Sequence, residues 1–158
     1  MKAAQKKQIR AHWQHVQEAS GQPFNDALLM QENFVYDTEP ACRAVVTARS
    51  MQQTDVLAFM QAISTAFYRD ARDITNVEIP GDIAAEKGID RADFSEALKS
   101  DGMRDAVKRD FSFSQSHGIQ GFPTLCAGRS EQLQVITNGY ASVETIEAGF
   151  KHLRGETA

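Results

Sequence analysis

The residues best placed to do chemistry stand together at Gly121-Phe122-Pro123-Thr124, after a helix-like stretch that stops at His117-Gly118 and before two short β-like runs. A proline heading a strand has no N–H to give a neighbouring strand, so it belongs at an edge or a turn. Were its peptide bond cis, the carbonyl and amide before it would turn toward an open surface, where an extended peptide or a thiol compound can pair with the backbone. Read alone, the motif favours a trans proline opening an edge strand, because few X-Pro bonds are cis.

The thiols come next. Cys126 lies three residues after Pro123 on the same run, and strand alternation sets it opposite Pro123 and Leu125; it reads as a small buried hydrophobe or as a reactive thiol. Cys42, between Ala41 and Val45, reads as part of a helix's apolar face. They are the only two cysteines, so no Cys-x-x-Cys pair exists, and a disulfide between them would need Cα atoms within about 7 Å.

His12 and His15 are spaced as two helical metal ligands can be, but no cysteine or carboxylate four residues on completes a set, and they read as surface histidines beside Trp13. His117 suits a cation at a helix C-terminus. A glycine-rich phosphate loop, a Gly-x-Ser-x-Gly elbow and a His-Glu-x-x-His motif are all missing, which argues against nucleotide and hydrolase chemistry.

The elements that must position these residues are mostly helical. Residues 2 to 19 put Ile9, Trp13 and Val16 on one stripe before Gly21 and Pro23 stop the helix. Residues 24 to 36 read as helix, then loop. Thr38-Glu39-Pro40 signals a start, predicting a helix over about 40–51 that buries Cys42, Val45 and Val46. Thr54 or Asp55 caps another with Leu57, Met60, Ile63 and Phe67 inward. Residues 73 to 80 read as a connector, then a short helix over 83–87 ends at Gly88. Asp90 caps a helix burying Phe94 and Leu98, and Asp101 caps one running to His117-Gly118. Strands are expected near 123–126 and 132–138, joined by the turn Ala127-Gly128-Arg129-Ser130 into an antiparallel hairpin. Asn138-Gly139 then breaks the chain, and Ser142 caps a last helix with Ile146, Phe150 and Leu153 buried.

This order of helix, Gly-Phe-Pro-Thr, strand, Asn-Gly turn and helix resembles the C-terminal half of a thioredoxin-superfamily domain of the DsbA-like branch. The stretches Ile9-Arg10-Ala11-His12-Trp13-Gln14-His15-Val16, Gly21-Gln22-Pro23-Phe24-Asn25 and Glu39-Pro40-Ala41-Cys42-Arg43-Ala44-Val45 resemble the helical insert of cytosolic protein-disulfide-isomerase-like members. The likeness covers most of residues 9 to 154.

It implies a predominantly helical α/β, thioredoxin-like DsbA-type fold in one domain over 1–158. About 9–117 would be mainly helical insert, and 118–154 the cis-proline loop, hairpin and C-terminal helix. It also implies that the strand, Cys-x-x-Cys helix start and second strand of such proteins are absent from this chain, which is therefore expected to lack the catalytic dithiol and to be redox-inactive by itself. On that resemblance Phe122-Pro123 is expected to be cis, and Gly121, Phe122, Pro123 and Thr124 form a substrate-binding site with no catalytic residue. Two other readings stay open: a glutathione-dependent isomerase or transferase of the hydroxychromene-carboxylate isomerase type, and a non-catalytic binding or assembly module. No cofactor is expected beyond glutathione in the first of these.

Composition bounds the partners. The chain has 158 residues, 42% hydrophobic and 24% charged, which suits a folded globular domain. Its net charge of −4, with both signs interspersed, gives no general attraction for nucleic acid or anionic lipid. Lys2, Lys6, Lys7 and Arg10 read as the solvated face of the first helix. With no apolar run near the ~20 residues of a membrane span, no signal-like N-terminus and no disulfide framework, a cytoplasmic location is expected. Two strands are too few for an independent sheet. The exposed edge is therefore expected to draw the chain into a homodimer or larger self-association.

Overall fold

A computed structural model describes residues 2–52, 55–129 and 131–155. In order these form α1 (Ala3–Ser20), α2 (Ala27–Met30), α3 (Glu39–Met51), α4 (Val56–Tyr68), α5 (Glu78–Glu86), α6 (Arg91–Lys99), α7 (Asp101–Ser116), β1 (Thr124–Ala127), β2 (Gln134–Asn138) and α8 (Val143–Leu153). The chain divides into two compact units, residues 1–107 and 108–158.

Local signals set most helix ends. Asp55 accepts from the backbone N–H groups of Leu57 and Ala58, and Asp90 from those of Ala92 and Asp93, each satisfying donors that the first helical turn leaves unpaired. Thr54 lies outside the described residues. At α3 the Thr38 side chain makes no capping bond; the Glu39 N–H donates to the Asp37 carboxylate at 3.0 Å, and Pro40 in the first turn has no N–H to satisfy. Gly21 closes α1 in the left-handed region (φ +70°), its N–H returning to the Gln17 carbonyl at 2.8 Å.

The core of the first unit gathers Phe59, Ile63 and Ala66 of α4, Ile83 and Ala84 of α5, Phe94 and Leu98 of α6, and Ala44 and Ala48 of α3. The Phe59 and Phe94 rings, both without solvent exposure, lie 5.6 Å apart. A second cluster joins Trp13, Leu28, Leu29 and Phe34, and Phe67 packs against both.

Several expectations need correction. Leu57 is 71% exposed and Met60 46%: α4 is apolar on more than one side, and the face that meets α3 and α5 is that of Phe59, Ile63 and Ala66. Residues 78–80 belong to α5 and not to a connector, because a proline in a helix's first turn breaks no hydrogen bond. Cys42 and Val45 are only half-buried, while Val46 is buried.

The second unit holds the hairpin and α8. The strands pair antiparallel, and among the described residues the sheet has just these two. No described residue of 108–155 is buried; Ile146 and Leu153 are half-covered and Phe150 is 37% exposed, so the expected buried stripe of α8 is only partly shielded. A two-stranded sheet is too narrow to bury one.

Replacing Phe94 by Ala should lower unfolding free energy by about 3–5 kcal/mol, the range for emptying an aromatic core site. Leu57→Ala should stay within about 0.5 kcal/mol, as exposed positions do. Urea unfolding followed by circular dichroism separates the two, and equal losses would contradict this assignment of the α4 faces.

Candidate functional site

The Gly121-Phe122-Pro123-Thr124 turn is built from both ends. The Phe122-Pro123 peptide is cis. Gly118, in the left-handed region at φ +70°, releases the chain from α7. Just before it, His117 turns its ring Nδ1–H onto the Phe113 carbonyl at 2.8 Å, the helix-ending role expected of it. The Thr124 hydroxyl donates to the Gly121 carbonyl at 2.7 Å, closing the turn on itself. The Gly139 N–H donates to the Pro123 carbonyl at 2.8 Å, tying the turn to the end of β2. All four expected site residues therefore sit in one turn, with Phe122 projecting outward at 80% exposure and Pro123 exposed beside it.

β1 leads away from this turn with one side paired to β2. Thr124 faces Asn138, Leu125 faces Thr137, and after an irregularity Cys126 faces Val135 and Ala127 faces Gln134. Ile136 is the extra residue of that bulge, and it packs at Gly149 of α8, where an added Cβ would come 2.5 Å from its Cγ2. The other edge of β1 meets no strand among the described residues. Cys126 and Leu125 are both half-buried, so the expected contrast between faces is blurred in so narrow a sheet.

The remaining candidates lie elsewhere. His12 and His15 are exposed on α1 to either side of buried Trp13, and no group of three or more His, Cys, Asp or Glu side chains among the described residues could hold a metal ion. Cys42 is half-buried on α3 in the first unit. Two contributors were missed from sequence: the Gly139 N–H and Asn138, which faces Thr124 across the hairpin. The Asn138-Gly139 pair was read as a breaker only, although a turn residue that ends one strand is placed to reach the start of its partner.

The hairpin depends on Gly128, which has φ +131° and no room for a Cβ against the Gln132 carbonyl oxygen. Gly128→Ala should cost the hairpin at least about 1 kcal/mol. Amide exchange of residues 124–127 and 134–138 should quicken accordingly; unchanged protection there would contradict the turn's role.

Against known proteins, the DSBA-like thioredoxin domain family matches residues 2–151. No curated protein sequence matches the chain. Among solved structures, a Nitrosomonas europaea protein provisionally assigned as a protein disulfide isomerase superposes with a TM-score of 0.92 at 30% identity, over 100% of this chain and 78% of that one. The cytosolic disulfide reductase DsbM of Pseudomonas aeruginosa superposes at 0.81 with 24% identity, over 98% of this chain and 79% of its own. DsbM with GSH superposes at 0.75 with 25% identity, over 90% and 74%. Fold, extent of match and the order of elements around the proline turn agree: the chain belongs to the DSBA-like thioredoxin domain family.

Proposed function

We propose that this chain serves thiol–disulfide chemistry as its substrate-holding part. The turn Gly121-Phe122-Pro123-Thr124 and the outer edge of β1 receive the backbone of an extended peptide or a thiol compound. The observation that carries this reading is the outward-facing turn at the head of a strand whose outer edge no described strand pairs. Such an edge offers N–H and C=O groups to any extended partner.

Exchange itself needs more. A thiolate attacks one sulfur of a disulfide, forming a mixed disulfide and releasing the other sulfur as thiolate; a second, neighbouring thiolate then attacks the first attacking sulfur, closing a disulfide with it and releasing the substrate's remaining sulfur as thiolate. With Cys42 and Cys126 far apart in sequence and no Cys-x-x-Cys, the chain has no such resolving pair. It holds and does not turn over. Glutathione as the thiol compound is a second reading, favoured by the likeness to a reductase whose structure was solved with GSH. That likeness to a cytosolic protein and the want of a disulfide framework support a cytoplasmic location; no helix among the described residues is long and apolar enough to cross a membrane. The same open edge supports self-association into a dimer or higher assembly.

Three measurements test this. Insulin reduction by the purified chain should be negligible, and turnover comparable to a dithiol enzyme would overturn the holding role. Titration with glutathione or an extended cysteine peptide should move the backbone resonances of residues 121–127 and 139 and leave those of α3 in place. Shifts confined to other regions would overturn the site. Sedimentation equilibrium at micromolar concentration should report a dimer or larger species, and a compact monomer that binds no hydrophobic dye would refute the self-association.

A further inference from the structure

Asn138 and Gly139, which end β2, carry a covalent chemistry of their own. Of the chain's asparagines, Asn138 alone precedes a glycine; Asn25, Asn33 and Asn76 precede Asp26, Phe34 and Val77. A glycine after an asparagine leaves its backbone nitrogen open to the asparagine side chain, because no Cβ stands in the way. The Gly139 nitrogen can therefore attack Asn138 Cγ. The N–Cγ bond forms, the Cγ–Nδ2 bond breaks, and the proton from the Gly139 nitrogen leaves with the amide as ammonia. Water then opens the cyclic imide to aspartate or isoaspartate.

In the folded chain that nitrogen is already engaged. The Gly139 N–H donates to the Pro123 carbonyl at 2.8 Å, the bond that ties the proline turn to the end of β2. Asn138 is exposed and faces Thr124 across the hairpin. Its amide lies alongside the turn, since a Cβ added at Gly121 would meet Asn138 Oδ1 at 3.9 Å. Gly139 sits at φ +93°, and nothing lies within 4 Å of where its Cβ would stand, so no neighbour packs over the pair from that side.

The two uses of the nitrogen exclude each other. An N–H donated to a carbonyl is neither free to lose its proton nor aimed at Cγ, and the extended backbone of a strand residue holds the next nitrogen away from its side chain. Imide closure therefore needs the end of β2 to open locally, and the Gly139 bond is the first thing lost. Once the imide has closed, the Gly139 nitrogen has no proton to donate. Hydrolysis returns one, but isoaspartate sets an extra backbone carbon between the residue-138 Cα and that nitrogen, so it no longer meets the Pro123 carbonyl in register. Either acid also brings a carboxylate into residues 118–128 and 132–143, which hold no Asp, Glu, Lys or Arg.

From this geometry we infer that Asn138-Gly139 is a self-modification site gated by the proline turn. While the Pro123 carbonyl holds the Gly139 N–H the asparagine persists; each opening of that bond exposes it to conversion, and isoaspartate unties the turn from β2. This holds whatever the turn binds.

The test is a timed incubation of the ¹⁵N-labelled chain in mildly alkaline buffer. Peptide mass spectrometry follows the amide-to-acid mass gain at each asparagine, and an isoaspartate methyltransferase labels the isomerised product. Asn138 should convert at least tenfold faster than Asn25, Asn33 or Asn76 once guanidinium chloride has unfolded the chain, and at least tenfold more slowly in the native chain than in the unfolded one. Gly128→Ala, which loosens the hairpin, should speed native conversion roughly fivefold. The converted chain, separated by its added charge, should show moved backbone resonances at residues 121–124 and 139 and unmoved ones in α6. Asn138→Gln, which would have to close a larger ring, should show neither the conversion nor the shifts after the same incubation. The inference falls if native Asn138 stays intact over an incubation about a hundred times as long as the unfolded chain needs, if it converts as fast in the native chain as in the unfolded one, or if the converted chain leaves the resonances of residues 121–124 in place.

Discussion

Burial of Phe59 against Phe94 is the interaction on which the first unit depends. Each ring removes a large apolar area from water, worth roughly 25 cal/mol per Å², and fixes α4 against α6 while Ile83 and Leu98 close the sides. Asp55 and Asp90 cap the very helices that carry the two rings, so local hydrogen bonding and tertiary packing select the same arrangement. Arg43 adds a polar clamp. The residue is 6% exposed; its Nε lies 2.9 Å from the Glu39 carboxylate as an ion pair without hydrogen-bond geometry, and its Nη1 donates to the Leu98 carbonyl at 3.0 Å, joining α3 to the end of α6. A buried guanidinium is tolerable only with such partners, so the clamp specifies how α3 sits on α6 more than it adds stability.

The second unit follows from the opposite constraint. Two strands of four and five residues cannot bury a face on both sides, and α8 reaches the sheet through Ile136 and Gly149, where the lack of a Cβ lets helix and strand approach. The unit therefore keeps an open edge and half-covered apolar side chains. The property that weakens it as a free-standing sheet is that the outer edge of β1 leaves backbone N–H and C=O groups without a strand partner among the described residues.

What could be read from sequence divides along the same physical line. Helix ends at Asp55, Asp90, Ser142, Gly21 and Gly118 were legible because a cap or a left-handed glycine acts within a few residues of itself. The proline turn was legible because its four residues are contiguous. The inward face of α4 was not: Leu57, Met60, Phe59 and Ile63 make the helix apolar on several sides, and only the positions of α3 and α5 decide which side is covered. Pro80 misled in a similar way, because a proline marks a helix's first turn as readily as a connector. The packing of Trp13 on Phe24, Tyr36 and Tyr68 was invisible, since the rings come from four segments that only the fold brings together.

The holding of a substrate and the transfer of electrons make different demands on a chain. Recognition through a proline turn and a strand edge uses backbone groups, tolerates many sequences and needs only that the turn be held in place, as Thr124 and Gly139 hold it here. Electron transfer needs two sulfurs able to reach each other and a thiolate stabilised by its surroundings. Cys126 lies on β1 two residues beyond the turn, while Cys42 belongs to the other unit. The hydrogen bonds that shape the turn, from the Thr124 hydroxyl to the Gly121 carbonyl and from the Gly139 N–H to the Pro123 carbonyl, involve no thiol, so its geometry does not depend on one.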